Sequence, residues 1–197
     1  MTEIEIKFKV GDPTKMCNLL VRCGAKQYPK EREVDFSFDT HDRLLSQQAK
    51  LLRLRKTDKE ALLTFKGPII ASRFKKREEI NIRLDDFKRA QDLLNQIGFI
   101  GSFTKEKIRQ RFSFKDTEVY LDRLPFIGYY LEIEGRDKNI LNLLKKLKLD
   151  MTKAMKESYN QLFNLFCIIN QEKIKKFKKK LEFSFKCERE FKRSINK

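Results

Sequence analysis

The chain has 197 residues, enough for one domain with a sizeable core, and its 40% hydrophobic content excludes a disordered polyelectrolyte although 37% of residues are charged. A formal net charge of +17 favours polyanionic partners: nucleic acid, an anionic membrane or a phosphorylated small molecule. Cys17, Cys23, Cys167 and Cys187 make no CxxC pair and His41 is the single histidine, which argues against zinc or Cys/His nucleophile chemistry. Free thiols, no signal-like apolar leader and no run of transmembrane length lead to the expectation of a cytoplasmic protein.

The first ten residues alternate strictly, with Glu3, Glu5, Lys7 and Lys9 against Ile4, Ile6, Phe8 and Val10. This period of two predicts a strand with one apolar and one fully charged face. Asp12-Pro13 then reads as a helix start, Met16, Leu19, Leu20 and Cys23 as its apolar stripe, and Gly24 as its stop. Residues 31–39 alternate again, with Glu31, Glu33, Asp35, Ser37 and Asp39 opposite Val34, Phe36 and Phe38, before a loop holding His41 and Asp42.

Leu51–Arg55 and Leu62–Lys66 predict two further strands, the second ending at Gly67-Pro68. Residues 73–84 place Arg73, Lys75, Arg77, Glu79, Asn81 and Arg83 on one face. Asp85 is the expected cap of a second helix that stops at Gly98. Three more strands follow, one carrying Lys105, Lys107, Arg109 and Arg111. The next carries Glu118, Tyr120 and Asp122, and the third Tyr130, Glu132 and Glu134. Helical patterns over roughly 137–147 and 152–169 close the domain.

The order predicts an α+β fold with mostly antiparallel pairing and two halves of similar layout. An ordinary half-exposed sheet would account for alternation alone. Full charges at alternate positions in about eight strands, opposite strongly apolar faces, are also met by a closed antiparallel β tunnel with helices outside. Such an interior needs countercharge, because desolvated ions cost several kcal/mol each unless paired. Lys7, Arg53, Arg55, Lys66, Arg77, Lys107 and Arg109 are candidates to grip a triphosphate. Glu3, Glu5, Glu79, Asp122, Glu132 and Glu134 offer hard oxygen ligands for Mg2+ or Mn2+. Metal bridging and charge neutralisation then carry phosphoryl or nucleotidyl transfer.

The ordered set of motifs resembles the CYTH superfamily, which joins class IV adenylyl cyclases and thiamine triphosphatases. Glu3-Ile4-Glu5-Ile6-Lys7 matches its ExExK signature. Asp35–Asp39, Leu52–Arg55, Phe65–Pro68, Arg77–Glu79, Lys107–Arg109, Leu121-Asp122, Ile127-Gly128, Leu131–Glu134 and Ser158–Leu162 follow in order. The resemblance implies an eight-stranded triphosphate tunnel over residues 1–165, with 166–197 a basic helical extension. It implies phosphate contacts at Lys7, Arg53, Lys66, Lys107 and Arg109, and metal binding at Glu3, Glu5, Asp122, Glu132 and Glu134, with Glu79 a further acid. Arg55 and Arg77 share the inward faces. Glu3, Glu5 and Asp122 are the expected catalytic acids. Asn81 stands where many triphosphatases of the family carry the last acid of RxExE, and the Ser-Tyr-x-x-Leu ending is closer to the cyclases.

The expected activity is conversion of ATP to cyclic AMP and pyrophosphate, the alternative hydrolysis of an inorganic or organic triphosphate. The third reading is a module binding RNA or another polyanion. Residues 170–197 hold 11 Lys and Arg and 4 Glu, a net of +7, with Ile169, Ile174, Phe177 and Leu181 at helical spacing. Packing of that apolar side on the barrel is favoured over contact with nucleic acid or an anionic membrane. The resemblance is compatible with a homodimer. His41 is read as surface decoration and Tyr159 as a packing or capping residue.

Overall fold

The computed structural model describes residues 2–177 and 180–195. Strands β1 (Thr2–Val10), β2 (Lys26–Asp39), β3 (Leu51–Lys56), β4 (Ala61–Ile70), β5 (Lys75–Leu84), β6 (Ile100–Phe114), β7 (Thr117–Leu124) and β8 (Gly128–Gly135) close into one antiparallel barrel. The order around it is β1-β5-β4-β3-β2-β6-β7-β8. Closure follows from two non-local pairings of β1, with β5 over Thr2–Glu5 and with β8 over Glu5–Val10.

Helices α1 (Pro13–Arg22) and α4 (Asp137–Leu147) cover the outer face of β1 and β8. Ile6, Phe8, Leu131 and Ile133 meet Leu20, Ile140, Leu143 and Leu147 there in the largest core cluster. Asp12 caps α1 by accepting from the Lys15 N–H, and Gly24, at φ +90°, turns the chain after it. A smaller cluster forms where α3 (Phe87–Gln96) lies over Phe38 and Leu54. The cover is incomplete: Ile80 and Ile82 on the outer face of β5 stay 49% and 53% exposed, against the expectation that helices shield every apolar face.

Four local expectations are corrected. β4 runs through Gly67-Pro68, because its register shift between Lys66 and Ile69 creates a bulge that tolerates the missing proline N–H. The cap of α3 is Asp86, whose side chain accepts from the Arg89 N–H, rather than Asp85. A short helix α2 (Leu44–Gln47) occupies the loop after β2; the Asp39 carboxylate accepts from the Leu45 and Ser46 N–H groups.

The last domain helix, α5 (Tyr159–Ile169), begins seven residues later than its apolar pattern suggests. A 3-10 turn at Met151–Lys153 and an antiparallel bridge from Met155 to Lys7 hold the preceding chain extended. Ser158 and Gln161 then form a reciprocal capping box. Helices α6 (Gln171–Phe177) and α7 (Phe185–Ile195) follow as separate elements, and Phe177, Phe183, Phe185 and Phe191 are buried. No helix of the described residues is long and apolar enough to cross a membrane.

Candidate active site

Alternation turns the charged face of every strand inward around a cavity of about 500 Å3. Among the described residues, ten cationic and six acidic side chains line it. A second opening of about 460 Å3 shares Glu3, Glu79, Asn81 and Glu134 with the first and adds Asp116 and Glu118. The tunnel therefore gapes on an acidic side, beside the short β1–β5 pairing.

The expected metal-binding acids separate into two kinds. Oxygen atoms of Glu3, Glu5 and Glu134 all lie within 4.8 Å of one another. Register explains the meeting: Glu5 pairs with Glu134 across β1 and β8, and Glu3 is two residues along the same inward face. Glu3 accepts from Lys66 Nζ at 2.6 and 2.8 Å, and Glu5 is paired to Lys75. Glu134 makes no hydrogen bond or ion pair among the described residues. Burial, then the charge of nearby Glu3, pushes its carboxyl up to about 8.

Glu79, Glu132 and Asp122 are instead neutralised by bases. Glu79 takes Lys66 Nζ at 2.7 Å and the Asn81 amide at 2.8 Å. Burial alone would raise its pKa, but the Lys66 ammonium together with hydrogen bonds to Glu3, Lys66 and Asn81 brings it to about 2. Glu132 accepts from Arg109 at 2.5 Å and lies 3.4 Å from Lys7. Asp122 is completely buried behind the lining. It takes a bidentate pair from Arg109 at 2.7 and 2.6 Å, Lys107 at 3.2 Å and the Tyr159 hydroxyl at 3.1 Å. It is placed to orient cations, not to face the cavity.

The expected phosphate-binding cations divide the same way. Arg55 is clamped by Asp35 at 2.6 and 3.0 Å and by Glu33 at 2.9 Å, and Arg109 by Asp122 and Glu132. Arg55 is a buried strut and Arg109 a partly buried one. Arg77 donates to the Gly67 carbonyl at 2.7 Å and to that of Ala49, tying the β4 bulge to the turn before β3. Lys66 bridges Glu3 and Glu79.

Arg53 has the spare capacity. Its Nη2 donates to Thr64 at 3.2 Å, its nearest carboxylate is 3.8 Å away, and its buried Nε has no partner. Lys107 lies 3.1 Å from Glu33, and Lys7 donates to the Glu157 carbonyl at 3.0 Å.

Lys105 and Tyr159 are among the cavity residues that lay outside the expected set. Lys105 is inward and partly buried, its side chain 15% exposed, with Asp35 at 3.4 Å as its ion-pair partner. Burial, with repulsion from Lys107, Arg53 and Arg55 and in spite of Asp35, lowers its pKa to about 8. Its place two residues before Lys107 was the available signal. Tyr159, expected to pack or cap, lines the cavity at the start of α5 with the Lys7 ammonium 4.2 Å from its ring centroid. Its position one residue after the Ser158 cap sends it inward, which helical periodicity does not reveal.

A family model described as the CYTH domain matches residues 1–162. The chain belongs to the CYTH family. A Methanocaldococcus jannaschii protein provisionally named an adenylate cyclase is 30% identical over 175 residues, which span 84% of this chain and 100% of that one. Among solved structures, a Vibrio parahaemolyticus protein with the same provisional name superposes with a TM-score of 0.75 at 21% identity, covering 83% of this chain and 98% of its own. A Hippeastrum protein, described as an adenylyl cyclase candidate with a dominant triphosphatase activity, gives a TM-score of 0.62 at 16% identity over 83% of this chain and 95% of its own.

In this CYTH tunnel the Glu3, Glu5 and Glu134 group fits a hard divalent cation. It supplies three carboxyl groups, the donor type Mg2+ and Mn2+ prefer, and a cation there would offset the burial and the Glu3 charge that raise the Glu134 carboxyl. Glu132 and Asp122 are occupied by the bases that neutralise them.

Proposed function

We propose that this chain is a divalent-cation-dependent enzyme that takes a triphosphate into its tunnel and, as an adenylyl cyclase, converts ATP to cyclic AMP and pyrophosphate. One observation carries the reading: three converging carboxylates share a cavity with buried cations, of which Arg53 Nε lacks a partner. A cation held by Glu3, Glu5 and Glu134 would supply charge neutralisation of phosphate oxygens and a lowered pKa for the attacking hydroxyl. The name of the Methanocaldococcus jannaschii relative supports the cyclase form.

The protein's own groups have separate tasks. Arg53, Lys107 and Lys7 bind phosphate oxygens, exchanging long carboxylate contacts for closer ones. Arg55 and Arg109, fixed by Asp35 and Asp122, hold the inner wall rigid so that these cations need little reorganisation. Tyr159 orients Asp122 and lies beside the Lys7 ammonium. Lys105 Nζ, more acidic than an ordinary lysine, is suited to give its proton to the departing pyrophosphate oxygen. In the cyclase reaction the ribose 3′-oxygen forms a bond to the α-phosphorus as the bond to pyrophosphate breaks.

Hydrolysis of a terminal phosphate is the second reading. Leu51 and Leu62 are the aliphatic side chains among the described lining, which gives an adenine ring little apolar surface. The triphosphatase activity described for the Hippeastrum protein, which shares this fold, supports that reading.

Product analysis separates the two. ATP and tripolyphosphate are each incubated with Mg2+ and with Mn2+. Cyclic AMP with equimolar pyrophosphate from ATP is expected; orthophosphate from tripolyphosphate with no cyclic product would exclude the cyclase reading. Turnover of neither substrate with either metal would exclude both.

A further inference from the structure

The C-terminal segment lies beyond the residues that match the CYTH model, and it docks directly behind the cavity. β6 outruns its neighbour β7, which pairs with it from Ile108 onward, while β2 pairs along its other side back to Ile100. At this uncovered edge Phe183 makes a parallel bridge to Lys105, and the Glu106 N–H donates to the Phe183 carbonyl at 2.9 Å. The Glu106 carboxylate accepts from the Phe185 N–H at 3.1 Å.

The Phe183 ring grips a second element. It stacks on Phe163 of α5, with centroids 4.2 Å apart and planes within 5°, and meets the edge of Phe103 at 6.0 Å. Phe163 lies one turn after Tyr159, so the two residues share a helix face. On the cavity side the Lys105 ammonium is 5.6 Å from the Tyr159 ring centroid. One buried residue thus ties together the strand that presents Lys105 and the helix that presents Tyr159.

The geometry points to residues 181–185 as a positioning element of the triphosphate site, with Phe183 holding Lys105 and Tyr159 where phosphate binds. This rests on the reading of the tunnel as a triphosphate site. An unpaired strand edge opens readily, and the Lys105 ammonium is repelled by Lys107, Arg53 and Arg55. The clamp opposes that relaxation, and a displacement of about 1 Å at a charged contact is enough to weaken binding strongly. The same packing buries Phe177, Phe183, Phe185 and Phe191, so these rings do not form an apolar face for a membrane.

A double-mutant cycle tests the coupling. Magnesium tripolyphosphate is titrated calorimetrically into the full-length wild type, Phe183→Ala, Lys105→Met and the double variant, with a melting curve for each. Phe183→Ala is expected to weaken binding about tenfold in the wild-type background and less than about twofold beside Lys105→Met, because coupled residues are not additive. Phe183→Leu should recover part of the affinity. If Phe183→Ala is unfolded at the assay temperature, Glu106→Ala, which removes the Phe185 acceptor and keeps the aromatic stack, takes its place. Equal weakening in both backgrounds, or none, would overturn the positioning role and leave the triphosphate reading standing. Failure of the wild type to bind tripolyphosphate would overturn both.

Discussion

Asp122 and Glu134 are both inward acids, yet their surroundings give them opposite natures. Asp122 satisfies Arg109, Lys107 and the Tyr159 hydroxyl at once and has no exposed surface. Asp122→Ala would leave those cations buried without their acceptor, and a loss of about 3–5 kcal/mol in urea denaturation is expected. Glu134→Gln breaks no ion pair, so its stability should change by less than about 1 kcal/mol while metal-dependent turnover falls. A stable Asp122→Ala protein would remove the structural role assigned to this acid.

Register decides which acid becomes which. On β8 the two inward glutamates are two residues apart, and nothing local distinguishes them. Pairing with β1 sets Glu132 opposite Lys7 and Glu134 opposite Glu5. Alternation in the sequence therefore identified inward faces, whereas the carboxylates that meet were hidden, because they depend on pairing between the first strand and the last. Lys105 was legible as an inward cation, but its isolation among other cations required the third dimension.

At the scale of the element, α5 shows how a few local contacts move a functional group. Its apolar pattern extends back to about residue 152, but the Met155 N–H donates to the Lys7 carbonyl at 2.8 Å and stops the helix from starting there. The Ser158–Gln161 capping box then fixes the first turn and sets Tyr159 against Asp122. Ser158→Ala is predicted to cost about 1 kcal/mol in denaturant unfolding, the usual worth of such a cap. It should also weaken triphosphate binding through Tyr159. Strands were the more legible elements because a period of two survives any register, whereas caps, the bulge at Gly67-Pro68 and the late start of α5 depend on partners distant in sequence.

For the whole molecule, the interior charges make stability depend on acid. Burial alone would raise the Glu33 carboxyl, but Lys107, Arg109 and Arg55 reverse this and bring it from an ordinary 4.5 to about 2. Arg55 and Arg53 hold Asp35 well below the carboxylate range in the same way. A depressed native pKa means that the folded state binds fewer protons than the unfolded chain, so this stabilisation is complete above 4.5 and is lost as pH falls toward about 2. Urea midpoints measured down that interval should fall steeply. A flat profile would contradict an interior held by ionised pairs.

The barrel as a whole was readable from the repetition of charged faces together with the family resemblance, although the alternation alone also fitted a half-exposed sheet. The gap in the helical cover at Ile80 and Ile82, and the docking of the C-terminal segment on β6, were not readable, since the first depends on which faces the helices reach and the second on β6 outrunning β7.

The central claim is that a cation on Glu3, Glu5 and Glu134 and a triphosphate on the cationic wall act together. Turnover of ATP and of tripolyphosphate by the wild type, the Glu3→Gln/Glu5→Gln pair and Glu134→Gln, each with and without Mg2+ or Mn2+, tests it most directly. The account predicts turnover only with metal, and a loss of about a hundredfold or more in each variant without loss of fold. Full activity in the Glu3→Gln/Glu5→Gln protein, or metal-independent turnover by the wild type, would contradict it.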